Sequence, residues 1–480
     1  MKYILRKQML AGLIGLAALT GCTKKFEEIN TDPKRISEVS PGTLLNPIIY
    51  DMAAYGMQKA DDWTFNLMQV ALPYPSASGG VHRYDITENA GAGFWNTTYL
   101  HLTSINEMYK AAVAAEDPNY QAIALTLRTW TISNLTDAFG DIPLTEAARA
   151  EEGILQPIFN AQQEVYTALL TDLSTANSLY NTSLAMSFGT DILFANNVTR
   201  WKKFTNSLTM RLLLRVSKRP EMNSWSLLQA MVDDPVTYPI FTSNAEAAVL
   251  QLSGVTPLLS PWGRAVDFTS YRAASKFFAD QLNAWNDPRR EKFMTQARTA
   301  DGSATIGFAG IPSGYDGNDN EFNYIPSNVN IALVTAPMIN PILPYSEVEF
   351  IKAELALHNN DGAKSQAAYE KGVKAAMEQW GAALPADYFA QPAAAFDGTL
   401  ERIHQQKYYA LYFVDYQQWF ECRRTGYPVL PKNAGMLNNQ QLPVRYYYPI
   451  LVRSTNADNY RAAVQSMGAD NINTKVWWEK

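Results

Sequence analysis

Three stretches of this chain carry side chains suited to an amphipathic ligand. Tyr74, Arg83 and Tyr84 fall in or beside a run of Pro, Ser and Gly that starts at Pro73. Trp262, Arg264 and Tyr271 follow the break at Pro261. Tyr315, Asp316 and Tyr324 surround a Gly-rich break between Ile311 and Gly317. In each stretch aromatic rings stand close to a charged group. That combination suits a sugar, whose C–H face lies on a ring while its hydroxyl edge takes hydrogen bonds. Loops on a rigid scaffold often carry such residues. For any one of the nine, packing in a core or an interface is the competing role.

Catalysis has less to stand on. An exported glycosidase needs two carboxylates flanking the bond it breaks. The 46 acidic residues could supply a pair, but no pattern selects one. G-x-S-x-G, H-E-x-x-H, C-x-x-C and the phosphate-binding P-loop are all absent. The four histidines, His82, His101, His358 and His404, are scattered without metal-ligand spacing. The chain is therefore read as a non-enzyme, with no catalytic residue, no metal ligand and no cofactor assigned. Arg211 and Arg215 sit four apart on one helical face and could grip phosphate or carboxylate. Capping neighbouring helix ends or pairing with acids is the expected use. A net charge of −6 without a basic stripe argues against nucleic acid.

These residues need elements to hold them. The chain opens with Lys2, Arg6 and Lys7, then an uncharged, mostly apolar run from Met9 to Thr20, too short to span a bilayer as a helix. Leu19-Thr20-Gly21-Cys22 closes it. The order of charge, apolar run, small residues and Cys is that of a secretory signal, residues 1–21. The L-x-G-C ending resembles the bacterial lipobox, which implies a lipid on Cys22, palmitate among its acyl chains, and a tether over residues 22–40. Several acyl chains would hold the protein stably on a membrane. Cys422 is then the one remaining thiol, so no disulfide is expected within the chain.

Residues 41–480 read as a single mostly helical domain. Apolar periodicity predicts helices over Asn46–Val70, from Phe94 to about Ala112, from Tyr120 to Phe139, over Ala161–Tyr180 and over Trp201–Val216. Gly140 and Pro143 stop the third of these, which makes Asp137 to Pro143 a rigid corner. Regular periodicity fades from Asp234 to Pro344, where only Ser270–Trp285 reads as helix. A helix then opens near Tyr345 with Ser346 and Glu349 as a capping box. A turn at Asn359 to Gly362 leads to a second helix, and a long helix is expected over Leu400–Arg424.

Several segments together resemble the SusD/RagB family of surface lipoproteins. They are T-D-A-F-G-D-I-P (Thr136 to Pro143), R-W-K-K-F-T-N-S-L-T-M-R (Arg200 to Arg211) and N-D-P-R (Asn286 to Arg289). Y-S-E-V-E-F-I-K-A-E (Tyr345 to Glu354), Q-K-Y-Y-A-L-Y (Gln406 to Tyr412) and E-C-R-R-T-G-Y-P (Glu421 to Pro428) follow. L-P-V-R-Y-Y-Y-P (Leu442 to Pro449) and K-V-W-W (Lys475 to Trp478) complete the ordered set. One departure is Ile450-Leu451-Val452-Arg453 after Pro449, where relatives usually place an acid.

The resemblance implies an all-α fold of tetratricopeptide-like helical hairpins packed against a loop-rich region, about 234–344. It implies a lipoprotein of the cell outer membrane that faces the cell exterior. Such a protein would bind a nutrient, an oligosaccharide in the first instance, and deliver it to a SusC-like TonB-dependent transporter. A peptide ligand, a structural role in the transporter complex and a secreted glycoside hydrolase are the alternatives. The family's motifs are mostly scaffold residues, so no ligand contact transfers by alignment, and the match of the three loop stretches to its binding loops is regional.

Overall fold

A computed structural model describes residues 40–480 except 316 and 318–321. The expected leader, the expected anchor at Cys22 and the expected tether as far as residue 39 lie outside the described residues, as does Asp316. Helices dominate. They run Pro41–Lys59 (α1), Ala92–Ala114 (α2), Pro118–Phe139 (α3), Gln162–Leu179 (α4), Val198–Arg215 (α5) and Ser224–Asp233 (α6). Among the later helices are Lys276–Ala284 (α7), Tyr345–His358 (α8), Gly362–Gln379 (α9), Leu400–Ala410 (α10) and Gln417–Thr425 (α11). α2 packs on α3, α3 on α4, α4 on α5, and α8 on α9, so neighbours in sequence are neighbours in space. That is the arrangement of stacked helical hairpins.

The central helix, α3, shows how the sequence fixes an element. Asp117 caps it by accepting from the N–H groups of Asn119 and Tyr120, and Pro118 sits in the first turn, where no N–H is needed. Gly140 ends it at φ 89°, donating its N–H to Thr136 O. The periodicity predicts one buried face, yet all of α3 except Pro118, Gln121 and Arg128 is buried. Its polar residues are satisfied inside. Thr126 meets Thr205 at 2.7 Å, and Asn134 Nδ2 donates to Asp415 at 2.9 Å.

The same core holds a set of buried charges. Arg211 grips Glu347 with two bonds of 2.8 and 2.6 Å. Arg215 lies 3.3 Å from Asp137 and 3.2 Å from Glu421. Arg424 reaches both oxygens of Glu354 at 2.7 Å, and Lys407 reaches Glu421 at 2.7 Å. Both arginines singled out in the sequence are thus bound to acids. Burial alone would raise the carboxyl of Glu354, but Arg424 and His404 outweigh it and hold the group below its ordinary range. Asp137 goes the other way. Its burial exceeds the help from Arg215 and Tyr166, and its pKa is pushed up to about 6.

Four sequence expectations are corrected. The helix expected over Ser270–Trp285 begins at Lys276, because Arg272–Ala274 (β3) pairs with Ala71–Pro73 (β1) and Ser275 caps the helix through its Oγ. The helix expected over Leu400–Arg424 is broken into α10 and α11. Phe413 and Asp415 between them take positive φ, of 64° and 32°, and Asp415 O accepts from Thr64. The helix expected to end at Val70 stops being regular at Lys59 and passes through a π-turn over Ala60–Thr64. Ser346 and Glu349 form no capping box. The helix does open at Tyr345, but Pro344 holds the N-cap place, so Ser346 lies inside the first turn and Glu349 accepts instead from Lys352 at 2.6 Å.

The middle segment is built from short pieces. Ala248–Leu252 (β2) pairs antiparallel with Met338–Leu343 (β6), and Arg298–Thr299 (β4) with Tyr324–Ile325 (β5). These ribbons pin long connections to the helical scaffold, which is how irregular backbone keeps its hydrogen bonds.

Candidate ligand-binding site

The β1–β3 ribbon brings the first two loop stretches together. Leu72 pairs with Ala273, and one residue beyond the ribbon Tyr74 N–H donates to Tyr271 O at 2.9 Å. Leu72, Ala273, Ile311 and Tyr315 form a small core apart from the main one, with Tyr74 and Phe322 packed against it. Phe322 is the hub. Its ring centroid lies 4.9 Å from Tyr315, 5.5 Å from Tyr324 and 6.3 Å from Tyr74. Tyr324 is braced by its hydroxyl, which donates to Gly310 O at 2.9 Å. Ser76 Oγ donates to Tyr315 O at 2.7 Å and joins the first loop to the third. Tyr271 stands beside this group, 83% exposed and at φ 55°.

The eight predicted residues that are described, all but Asp316, therefore take different places. Tyr74 and Tyr324, both half-buried, share one cluster with Tyr315, which is buried in the small core and so supports the rings rather than meeting a ligand, and Tyr271 stands at its edge. Arg83 and Tyr84 turn inward. Arg83 Nε donates to Gly435 O at 2.5 Å and Nη1 to Ser78 O at 2.6 Å, so its guanidinium fastens the loop. Tyr84 is 2% exposed, and burial pushes its phenol up to about 12. Next to them, His82 is buried and drops to about 4, from burial first and then from Arg83. Trp262 is half-buried, its ring 5.3 Å from Phe268 and 5.8 Å from Phe413. Arg264 is exposed and pairs with Asp267 at 2.6 Å. Trp262 connects to the cluster only indirectly. The Arg272 guanidinium lies 5.4 Å from the Phe268 ring and bonds Asp61.

A cleft of about 490 Å³ lies on the other flank of the third loop, lined by Lys276, Phe277, Asp280, Ser313, Lys432 and Asn433. That volume is in the range of small-molecule sites. Asn433 Nδ2 donates to Ser313 O, two residues before Tyr315, so the cleft and the aromatic cluster share a backbone. Sequence reasoning missed Phe322, Lys276 and Lys432. Phe322 could have been found as an aromatic in the polar run after Gly317. The lysines carry no local signal, because they meet only through the fold.

Glu354, His404 and Glu421 bring one donor atom each within 4.8 Å of one another. Their oxygens already face Arg424 and Lys407, and His404 Nε2 lies 3.0 Å from Glu354. The two carboxylates meet three cations, Arg424, Lys407 and Arg215, with burial lowering His404 toward its neutral form. The donor set is that of an ion-pair cluster, and it does not fit a divalent cation, which would add charge the site already balances.

Comparison with known proteins bears on most of the chain. Residues 33–449 match the SusD-like family model described as starch-binding, associating with outer membrane. A solved chitin-binding SusD homolog from Flavobacterium johnsoniae is 20% identical, covers 92% of this chain and 98% of its own, and superposes with a TM-score of 0.78. A SusD homolog from Bacteroides fragilis is 22% identical, covers 92% and 100%, and gives 0.77. One from Bacteroides uniformis is 22% identical, covers 92% and 99%, and gives 0.76. At such identities these structures speak for the fold alone. No curated protein matches the chain.

Proposed function

The chain belongs to the SusD-like family, and on that premise we propose that it binds an oligosaccharide at the outer membrane and hands it to a SusC-like TonB-dependent transporter. The observation that carries this reading is the convergence of Tyr74, Tyr271, Tyr315, Phe322 and Tyr324 from three separated stretches. Rings on a short, braced framework form a platform on which a sugar's apolar face can lie without ordering the protein first. In the cleft beyond Ser313, Lys276, Asp280, Lys432 and Asn433 offer hydrogen bonds to the hydroxyls of a longer chain, and Phe277 and Pro312 offer apolar contact. The protein does no chemistry on its ligand in this reading. Arg83, Tyr84, Trp262 and the buried Tyr315 support the loops, and contact with the ligand falls to Tyr271 and the half-exposed rings of Tyr74, Phe322 and Tyr324. Attachment through Cys22 keeps the site at the cell exterior, next to the transporter. The chitin-binding relative favours a glycan over a peptide as cargo.

The test is calorimetric titration of the chain lacking Cys22 against oligosaccharide and peptide panels. An oligosaccharide is expected to bind, with Tyr271→Ala and Phe322→Ala each weakening it about five- to thirtyfold, the span of one to two kcal/mol for an aromatic contact. Binding that neither change alters would remove the platform. Binding of peptides alone would replace the cargo class. Co-purification of the transporter with the lipidated protein tests the handover.

A further inference from the structure

Gln69 is fully buried and lines neither the aromatic cluster nor the cleft beyond Ser313, yet it bonds to all three segments that wall that cleft. The first wall is α7, which carries Lys276, Phe277, Asp280 and Ala284. Ser275 Oγ caps α7 by accepting from Phe278 N–H at 3.1 Å, and the same hydroxyl donates to Gln69 O at 2.5 Å. The second wall is Pro312 and Ser313, and Ser313 Oγ donates to Gln69 Oε1. The third is Pro431 to Asn433, where Gln69 Nε2 donates to Pro431 O at 2.8 Å. One residue thus joins stretches that lie 206, 244 and 362 positions away from it in the chain.

The backbone agrees with this role. Gln69 sits at φ 57°, just before β1. A residue other than glycine keeps a left-handed conformation where its surroundings over-determine it. Here the main-chain carbonyl holds one wall, and the two ends of the side-chain amide, one acceptor and one donor, hold the other two. Asn433 adds a bond between the last two walls alone, its Nδ2 donating to Ser313 O. The aromatic cluster is braced without Gln69, through Tyr74 to Tyr271, Ser76 to Tyr315 and Tyr324 to Gly310. Cleft and platform therefore rest on different supports.

We propose that Gln69 is a positioning residue that holds the three walls of the cleft at a fixed width, and that it thereby sets the preference for long oligosaccharides over short ones. The inference rests on the saccharide reading for its ligand and on the three bonds of Gln69 for the cleft. The far units of a long chain meet walls that are already ordered. Without the Gln69 amide, binding must order them first, and the advantage of length shrinks. A short sugar that lies on the platform alone does not feel the change.

Two measurements on the Cys22-lacking chain test it. The first titrates maltose and maltohexaose, cellobiose and cellohexaose, and chitobiose and chitohexaose into the parent, Gln69→Met and Ser313→Ala. Met keeps the length of Gln without its amide, and Ser313→Ala removes one of the three bonds should the first variant not fold. The parent is expected to bind a six-unit chain more tightly than its two-unit counterpart. In Gln69→Met that ratio should fall about five- to thirtyfold, the effect of leaving wall side chains to be ordered at binding, and in Ser313→Ala it should fall in the same direction. Affinity for the two-unit sugar should stay at the parent's value, whereas a merely destabilised protein would lose both alike. The second measures the distance between nitroxides on Ala284→Cys and Lys432→Cys by electron paramagnetic resonance. Cys422 stays unlabelled, because it is buried and burial pushes its thiol up to about 12. Gln69→Met should broaden the distance distribution. A length ratio unchanged in both variants, equal binding of both lengths by the parent, or a distribution as narrow as the parent's overturns the proposal. Should no sugar bind the parent, the saccharide reading falls, and the distance distribution alone decides whether Gln69 positions the cleft.

Discussion

Replacing Arg424 by Met is the sharpest probe of the buried charge cluster. Arg424 makes two 2.7 Å bonds to Glu354 and one of 2.9 Å to Glu421. Lys407 still answers Glu421 in the variant, and so does Arg215 at 3.2 Å. Glu354 is left with His404 alone. Removing one partner of a buried pair costs about 3–5 kcal/mol, because the other charge stays desolvated and unpaired. Unfolding entropy of about 2.1 cal/mol/K per residue, over the roughly 440 residues from Pro41 to Lys480, gives about 0.9 kcal/mol/K. The melting temperature should therefore fall by about 3–6 °C.

The loss also has a pH signature. In the parent, burial lowers His404, opposed by Glu354 and reinforced by Arg424 and Lys407. A base with a depressed folded pKa costs stability as pH falls below its ordinary value near 6.5. Without Arg424 that sign reverses. Glu354 keeps its charge by drawing a proton onto His404, whose folded pKa rises. A raised base contributes stability below its unfolded pKa and loses it as pH climbs through the folded one. The deficit of Arg424→Met should thus be larger at about pH 8 than at about pH 5.5. Calorimetric melts at both pH values measure it. Arg461→Met serves as control, since that exposed pair with Asp458 contributes little. A deficit under about 1 °C at the higher pH, or an equal deficit at both, would refute the reasoning.

Other outcomes follow from the same geometry. Asp137 is an acid whose folded pKa is raised to about 6, so its contribution to stability falls as pH rises from about 4 to 6 and is level above. Asp137→Asn should remove that slope from the difference between parent and variant melts. Gly140→Ala should cost about 1–3 kcal/mol in denaturant unfolding, because φ is 89° and a new Cβ would lie 2.6 Å from Met467 Sδ. Treatment with EDTA, or addition of zinc, should leave the melting temperature unchanged, since Glu354, His404 and Glu421 are held by Arg424 and Lys407. Arg83→Ala should lower stability by releasing the carbonyls of Gly435, Ala77 and Ser78, and should weaken ligand binding only through disorder of that loop.

The helical scaffold was largely legible. The runs ending at Phe139 and Tyr180 stand within a residue or two of α3 and α4; Asp117, Gly140 and Pro143 punctuate the first with local chemistry, and the apolar spacing of Val165, Leu169, Leu173 and Ala176 marks the second. What failed was long-range. Nothing near Phe413 foretells a break there, since the cause is Asp415 meeting Thr64 and Asn134 across the chain. Arg272–Ala274 is too short to show an alternating pattern, and it becomes a strand only because β1 lies beside it. The site was half legible for the same reason. Composition flags loops rich in Tyr and Arg. It does not say that Tyr271 faces outward while Tyr84, thirteen residues from Ala71, is enclosed. Whether an arginine fastens a loop or meets a ligand depends on carbonyls far away, such as Gly435 for Arg83.

The contact between α3 and α11 has a consequence for how the chain reaches its folded state. Asn134 is bonded to Asp415 and Gln417, Asp137 O to Arg423, Asp141 O to Tyr448, and Gln162 to Trp478 N, at separations of 281 to 316 residues. Such contacts come late, because the entropy of closing a loop is spent before they form. The early helices must wait with Asn134 and Asp137 uncovered until the 415–478 segment arrives. A polypeptide cut between α9 and α10 would keep most of its helices in sequence and still lack the partners that let α3 be buried. Until that segment docks, the polar and apolar groups of α3 that it covers stay open to solvent.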